Sequence, residues 1–177
     1  MFRMFALSVV LVFFAFTPAA HARRPQGAPT VVILVRHGEK EKEPTGDPPL
    51  SELGRKTAER LAVIGEGAGV EVVFTSQAKR TRDTAAPLAA RRGLTPNVRN
   101  VTRETVDAHV RGLAKEILDS HRGKTVLVVG HSNTAPRIAA LLSGKTIPDL
   151  DDATEFDAIF VVIIPESGAP KLVRAKY

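Results

Sequence analysis

The sequence contains neither cysteine nor tryptophan, and aromatic residues make up only 5% of its 177 positions. Without cysteine the chain has no disulfide, no thiolate metal site and no cysteine nucleophile. The few aromatics argue against a binder of single-stranded nucleic acid, because such proteins stack bases on aromatic side chains. The histidines show no paired ligand spacing, so we expect no metal, no cofactor and no nucleic-acid partner.

A hydrophobic run long enough to cross a bilayer is also missing. Residues 5–16 are almost entirely apolar, but a transmembrane helix needs about 20 such residues. Arg3 precedes the run and Ala20-His21-Ala22 follows it, which completes the pattern of a cleaved secretory signal. We therefore expect a periplasmic or secreted protein with no stable membrane anchor after cleavage. The predicted divisions are a signal peptide (1–22), a polar leader (23–30) and one domain (31–177).

The chain is strongly basic, with a net charge of +6 at pH 7. A basic protein favours an anionic partner. Since the aromatic platforms of nucleic-acid binders are missing, a phosphorylated small molecule or an anionic envelope component fits better as that partner. The sequence does not indicate an oligomeric state.

Short β-branched runs alternate with helical patterns along the domain. Residues 31–35 form an unbroken apolar run, typical of a strand buried on both faces, and residues 70–74 and 125–129 repeat it. This alternation predicts crossover connections and parallel strands. Residues 158–164 and 172–177 predict a hairpin. The expected fold is three-layer α/β, a mostly parallel sheet with helices on both faces and a C-terminal antiparallel hairpin at its edge.

Three helices are predicted between these strands. The first is capped by Ser51 and carries apolar residues at helical spacing. The second covers residues 77–92 and starts at Ser76; Pro87 must kink it or lie where a lost backbone hydrogen bond is tolerated. The third runs through residues 106–117. A further, weak strand is expected at residues 98–101, where it would be the third in chain order.

Polar side chains follow each predicted strand, and in open α/β sheets the ligand site lies beyond the carboxyl ends of the strands. Arg36 and His37 follow the first strand, Arg80 lies just after the second, and His131 follows the last parallel strand. These two arginines and two histidines should therefore converge on one face of the sheet.

The set suits phosphoryl transfer to a histidine. A neutral imidazole is a competent nucleophile when a backbone carbonyl fixes its tautomer, and guanidinium groups bind phosphate oxygens by charge-assisted hydrogen bonds. Fixed arginines also stabilise the charge that spreads over the phosphoryl oxygens as the bond breaks. A carboxylic acid is then needed to protonate the leaving oxygen.

Four segments carry a family resemblance. Residues 34–39 (LVRHGE), 50–54 (LSELG), 76–85 and 128–133 (VVGHSN) resemble, in order, the motifs of the histidine phosphatase superfamily with its phosphoglycerate mutase-like fold. The resemblance extends over residues 31–177 and suggests a small exported branch. It implies that His37 becomes the phosphohistidine and that Arg36, Arg80 and His131 form the phosphate pocket.

The short connections favour hydrolysis over the mutase reaction, so the predicted function is that of a phosphatase acting on phosphomonoesters. Two other functions stay open: a non-catalytic phosphate-binding module and a phosphoglycerate mutase-type transferase. Residues 130–134 also imitate the nucleophile elbow of α/β-hydrolases, but no histidine follows Ser132 to serve as its base.

Several assignments remain open at this point. The general acid is Glu104, or Asp107 nearly one turn further along, or no side chain at all. Ser76 and Asn133 are either helix caps or members of the site. The charged and proline-rich loop 40–49 either borders the site or is a solvated connection.

Overall fold

The computed structural model describes residues 27–177. The predicted signal peptide and the first part of the leader lie outside the described residues, so these divisions of the chain stay predictions. The elements in chain order are β1 (Thr30–Arg36), α1 (Glu52–Gly67), β2 (Val72–Thr75), α2 (Lys79–Arg92), β3 (Asn97–Val98), α3 (Val106–Ser120), β4 (Thr125–Gly130), α4 (Thr134–Ser143), β5 (Ala158–Ile164) and β6 (Lys171–Lys176).

The six strands form one mixed sheet in the order β3-β2-β4-β1-β5-β6. The pairs β1–β4, β2–β4 and β2–β3 are parallel, whereas β5 runs antiparallel to both β1 and β6. The predicted fold class, including the C-terminal hairpin at one edge, is thus confirmed.

Alternate residues of β1 face two separate cores, which explains its unbroken apolar run. Val32 and Leu34 belong to a core built with α3 and α4. Ile33 and Val35 belong to a second core built with α1 and α2. Two helices therefore cover each face of the sheet, and the central strands are buried on both sides.

The predicted boundaries differ from the structure at α2 and β3. Helix α2 begins at Lys79 rather than at residue 77, and it continues through Pro87. Strand β3 is two residues long and stops before Val101. The Gln77 side chain explains this early end, because its amide donates to the Val101 carbonyl at 2.8 Å and accepts from the Val101 N–H at 3.0 Å. A side chain thus satisfies the backbone groups that a longer strand would pair.

The parallel order brings the carboxyl ends of β1, β2 and β4 to the same edge of the sheet. Those ends are occupied by the segments that follow Arg36, Thr75 and Gly130. Within residues 27–177, no helix has the length and apolar character needed to span a membrane.

Candidate active site

His37 lies directly after β1 and is 4% exposed. Its backbone N–H donates to the Gly130 carbonyl at 3.0 Å, which fixes it beside the end of β4. The ring Nδ1 lies 2.8 Å from the Gly38 carbonyl. Because a carbonyl only accepts, Nδ1 carries the proton and Nε2 keeps its lone pair. The imidazole therefore has the tautomer that a nucleophile needs.

Arg80, in the first turn of α2, lies against that nucleophilic nitrogen. Its Nε donates to His37 Nε2 over 3.1 Å. Its NH2 lies 3.5 Å from His131 Nδ1. One guanidinium therefore faces both histidines.

His131 lies at the end of β4, with its ring centroid 5.5 Å from that of His37. Its Nε2 is 3.0 Å from Ser76 Oγ. Since Arg80 can only donate to Nδ1, Nε2 carries the proton and donates to Ser76. The Ser76 hydroxyl is itself held 2.9 Å from Thr81 Oγ1. Ser76 accepts from the Ala78 N–H at 3.2 Å and makes no bond to the N–H groups of α2 itself, and its contact with Nε2 orients the His131 ring.

Both histidines are neutral at physiological pH. Burial, with smaller contributions from His131, Arg80 and Arg36 and against the Gly38 hydrogen bond, lowers the pKa of His37 to about 3. Burial, followed by the charge of Arg80, lowers the pKa of His131 to about 4. The low values keep the lone pair of His37 available for attack.

Arg36 differs from the expected clamp because its terminal nitrogens already have partners. NH1 donates to the Asp151 carbonyl at 3.0 Å, and NH2 donates to the Asp152 carbonyl at 2.9 Å and contacts the Asp152 carboxylate at 3.1 Å. The guanidinium also stacks on Phe156 at 3.8 Å. Its buried Nε is without a hydrogen-bond partner among the described residues. Arg36 thus anchors the segment before β5 and keeps one donor unused.

A cavity of about 810 Å³ opens over these residues. His37, Arg80 and His131 line it, and Asn133 lies on its wall rather than capping α4 with its side chain. Two further cations, Lys40 and Arg103, also line it. The carboxylates in its lining are Asp149 and Asp152, paired with Arg137 and Arg36 respectively. The cavity therefore suits an anionic ligand.

The two predicted acids lie elsewhere. Glu104 is exposed and accepts a hydrogen bond from Thr102 Oγ1 at 2.6 Å, which lowers its pKa. With Asp107 it lines a smaller hollow of about 300 Å³, which adjoins the cavity through Arg103, Val106 and Asn133, and Asp107 contacts Arg137 at 3.5 Å. The structure does not bring either carboxylate together with His37.

Two glycines of the sequence motifs let the turn after β1 pack on the start of α1. A Cβ on Gly38 would lie 2.8 Å from the Gly54 carbonyl oxygen, and a Cβ on Gly54 would lie 2.0 Å from that of Glu39. The Gly38 N–H donates to Thr84 Oγ1 at 3.0 Å, and that hydroxyl donates to the Arg80 carbonyl. These contacts fix the turn that carries His37 against both α1 and α2.

Sequence reasoning missed two contributors to the site. Phe156 has no local motif that marks it, and only the path of the segment before β5 brings it under Arg36. Asp47 lies in the loop considered as a border of the site, and its Oδ1 is 3.6 Å from Arg80 NH1. An acidic residue in a loop otherwise rich in charge and proline gives no signal of such a contact.

Residues 27–177 hold no cluster of three side chains suited to bind a metal ion.

The chain is similar to known proteins both in sequence and in fold. The sequence model of the histidine phosphatase superfamily (branch 1) matches residues 32–105. Phosphoserine phosphatase 1 of Hydrogenobacter thermophilus is 41% identical over 69 residues, which cover 36% of this chain and 33% of that protein. The match thus spans a third of the relative's length.

Solved structures share the fold over most of the domain. The protein histidine phosphatase SixA, complexed with tungstate, is similar with a TM-score of 0.62 at 22% identity, over 82% of this chain and 96% of that one. A mycobacterial glucosyl-3-phosphoglycerate phosphatase gives a TM-score of 0.58 at 18% identity, over 83% and 97%. At these identities the two matches are evidence for the fold.

Proposed function

Because the chain belongs to the histidine phosphatase superfamily, as its motifs predict, we propose that it hydrolyses phosphomonoesters through a phosphohistidine at His37. The observation that carries the proposal is the neutral, buried imidazole of His37, whose Nε2 lone pair meets the guanidinium of Arg80 at 3.1 Å. A nucleophile and a cation at one point are what phosphoryl transfer needs.

In the first step His37 Nε2 forms a bond to phosphorus while the bond from phosphorus to the leaving oxygen breaks, and the leaving oxygen takes a proton from water. Arg80 Nε then donates to a phosphoryl oxygen instead of to Nε2, and Arg36, which also lines the cavity, adds positive charge beside it. In the second step water attacks phosphorus, the bond to Nε2 breaks, and His37 returns to its neutral form.

His131 helps to stabilise the negative charge of the phosphoryl group. Burial and the charge of Arg80 lower its pKa to about 4, whereas a phosphate dianion beside the ring favours the imidazolium form. A proton on Nδ1 turns an acceptor into a further donor toward the phosphoryl oxygens. Because Ser76 accepts from Nε2 in either state, the ring keeps its orientation.

The similar proteins act, by their names, on phosphoserine, protein phosphohistidine and glucosyl-3-phosphoglycerate. These leaving groups differ, whereas the phosphoryl group is common to all. We extend the proposal to a phosphorylated small molecule or envelope component as substrate. A periplasmic or secreted location is supported by the signal-peptide pattern of residues 1–22.

The direct test is phosphate release from p-nitrophenyl phosphate by the purified protein with and without a chelator. We expect turnover, and an equal rate in both conditions, because His37 supplies the nucleophile and Arg80 the charge. A non-catalytic phosphate-binding module would bind phosphate without turnover. Loss of activity in chelator, restored by a divalent ion, would count against the proposed chemistry.

Leaving groups of different basicity test whether Glu104 is the general acid or whether that role belongs to Asp107 or to no side chain. We expect Glu104→Gln to change the rates on p-nitrophenyl phosphate and on an alkyl phosphate by less than about twofold, because its carboxylate is exposed and bound to Thr102. General acid catalysis contributes roughly 10²- to 10⁴-fold. A loss of that size confined to the alkyl phosphate would assign the acid to Glu104.

A further inference from the structure

The loop between β1 and α1, residues 40–50, borders the cavity and is closed at its base; we call it the rim loop. Lys40 and Leu50 form an antiparallel β-bridge, and the Glu41 N–H donates to the Pro49 carbonyl at 2.9 Å. Lys40 lines the cavity, and Leu50 is buried. Both ends of the rim loop are therefore fixed beside the site.

Asp47 adds an attachment of the rim loop to α2. Its carboxylate accepts from the Lys79 backbone N–H, at 2.8 Å to Oδ1 and 3.0 Å to Oδ2. Lys79 is the first residue of α2, and Ala78 at the N-cap makes no side-chain capping bond. Asp47 thus supplies, from a distant segment, the acceptor that a helix start requires.

The same carboxylate faces the arginine of the site. Asp47 Oδ1 lies 3.6 Å from Arg80 NH1, while Nε and NH2 of this guanidinium face His37 and His131. Each of the three nitrogens therefore has a different partner. Since the group is planar, a partner on NH1 sets the direction of the other two donors.

We propose that Asp47 is a positioning residue, which holds the first turn of α2 and the NH1 of Arg80 so that Nε and NH2 face the phosphoryl group. The inference rests on the proposed function. Asp47 is also an anion beside the guanidinium that binds a phosphate dianion, so it opposes phosphate binding while it orients the donors. Its removal should therefore slow turnover and strengthen phosphate binding together.

Asp47→Asn separates these effects, because the amide oxygen can still accept from Lys79 while the charge is lost. We expect kcat for p-nitrophenyl phosphate to fall about 10-fold, since a misdirected donor stabilises the transition state less well. The Kd for inorganic phosphate, measured by calorimetry, should fall about threefold as the repulsion is removed. The melting temperature should stay close to that of the wild type.

Asp83→Asn is the matched control: it makes the same Asp-to-Asn change at a carboxylate on α2 that pairs with the Lys79 side chain, Nζ to Oδ2, at 2.8 Å. We expect its kcat and phosphate Kd to be those of the wild type. A kcat for Asp47→Asn within twofold of wild type would overturn the proposal. So would a weaker phosphate Kd with a lower melting temperature, which would give Asp47 only a folding role.

Absence of turnover in the wild type would overturn the proposed function, and Asp47 would still be tested by two measurements. One is the phosphate Kd. The other is the Nε–H resonance of Arg80 in ¹⁵N-labelled protein, identified by its loss in Arg80→Lys. We expect this resonance to shift in Asp47→Asn and to stay in place in Asp83→Asn. An unchanged resonance and an unchanged Kd would overturn the inference about Asp47.

Discussion

His37→Ala is expected to abolish phosphatase turnover, with kcat reduced by roughly 10⁴-fold or more, because the attacking lone pair is removed. The fold should persist, since the hydrogen bond that holds this residue to Gly130 comes from its backbone N–H. Release of nitrophenol and phosphate from p-nitrophenyl phosphate measures the loss. Trapping with labelled substrate should give an acid-labile, base-stable adduct in the wild type and none in the variant.

A labelled His131 or Ser132 would transfer the nucleophile's role to that residue. The pH profile gives a second check on His37. With a pKa of about 3 in the fold, its imidazole stays neutral above about pH 4, so acidification from pH 7 to 5 should not remove the nucleophile. Any fall of the rate in that range should come from the titration of a group other than His37.

The same pKa has a consequence for stability, and its sign follows from proton binding. Between the ordinary histidine pKa of 6.5 and the folded pKa of about 3, the folded protein binds fewer protons at His37 than the unfolded chain does, so the free energy of unfolding falls as the pH falls through this range. At pH 4.5 this amounts to about 2–3 kcal/mol for His37. Denaturant unfolding at pH 6.5 and 4.5 measures this effect. The free energy of unfolding should fall less between these two pH values in His37→Ala than in the wild type.

Arg80→Gln should lower kcat by roughly 10²- to 10³-fold, the cost of removing one donor that is aimed at transition-state charge. Its Nε lies at the attacking nitrogen of His37 and its NH2 at His131, so no neighbouring side chain replaces it. Arg80→Lys should recover only part of the loss, because an ammonium keeps the charge but cannot reproduce the planar fork.

The matched control is Arg82→Gln, which removes the same charge from an exposed position two residues further along α2 that does not line the cavity. We expect near wild-type kinetics for that variant. Steady-state kinetics with p-nitrophenyl phosphate measure both changes. If Arg80→Gln stayed within threefold of the wild type, Arg80 would have no part in the chemistry.

How far the sequence predicts the site depends on how locally each contact is encoded. Four residues could be identified because each lies at or just after a strand, and parallel strands bring such positions to one edge of the sheet. They are Arg36, His37, Arg80 and His131. For Ser76 the sequence leaves two roles open, that of a helix cap and that of a site residue. Its burial and its bond to His131 depend on how the end of β4 packs beside β2.

The buried strands β1, β2, β4 and β5 follow from the sequence alone, because hydrophobic periodicity and β-branched runs are properties of adjacent residues. The tertiary structure decided the rest. Arg36 is bound to carbonyls 115 and 116 residues away, Asp47 reaches α2 from the rim loop, and Glu104 is bound to Thr102 and is not among the residues that line the cavity with His37. Such contacts depend on loop paths and strand order, and a side chain's neighbours across the sheet leave no periodic trace in its own segment.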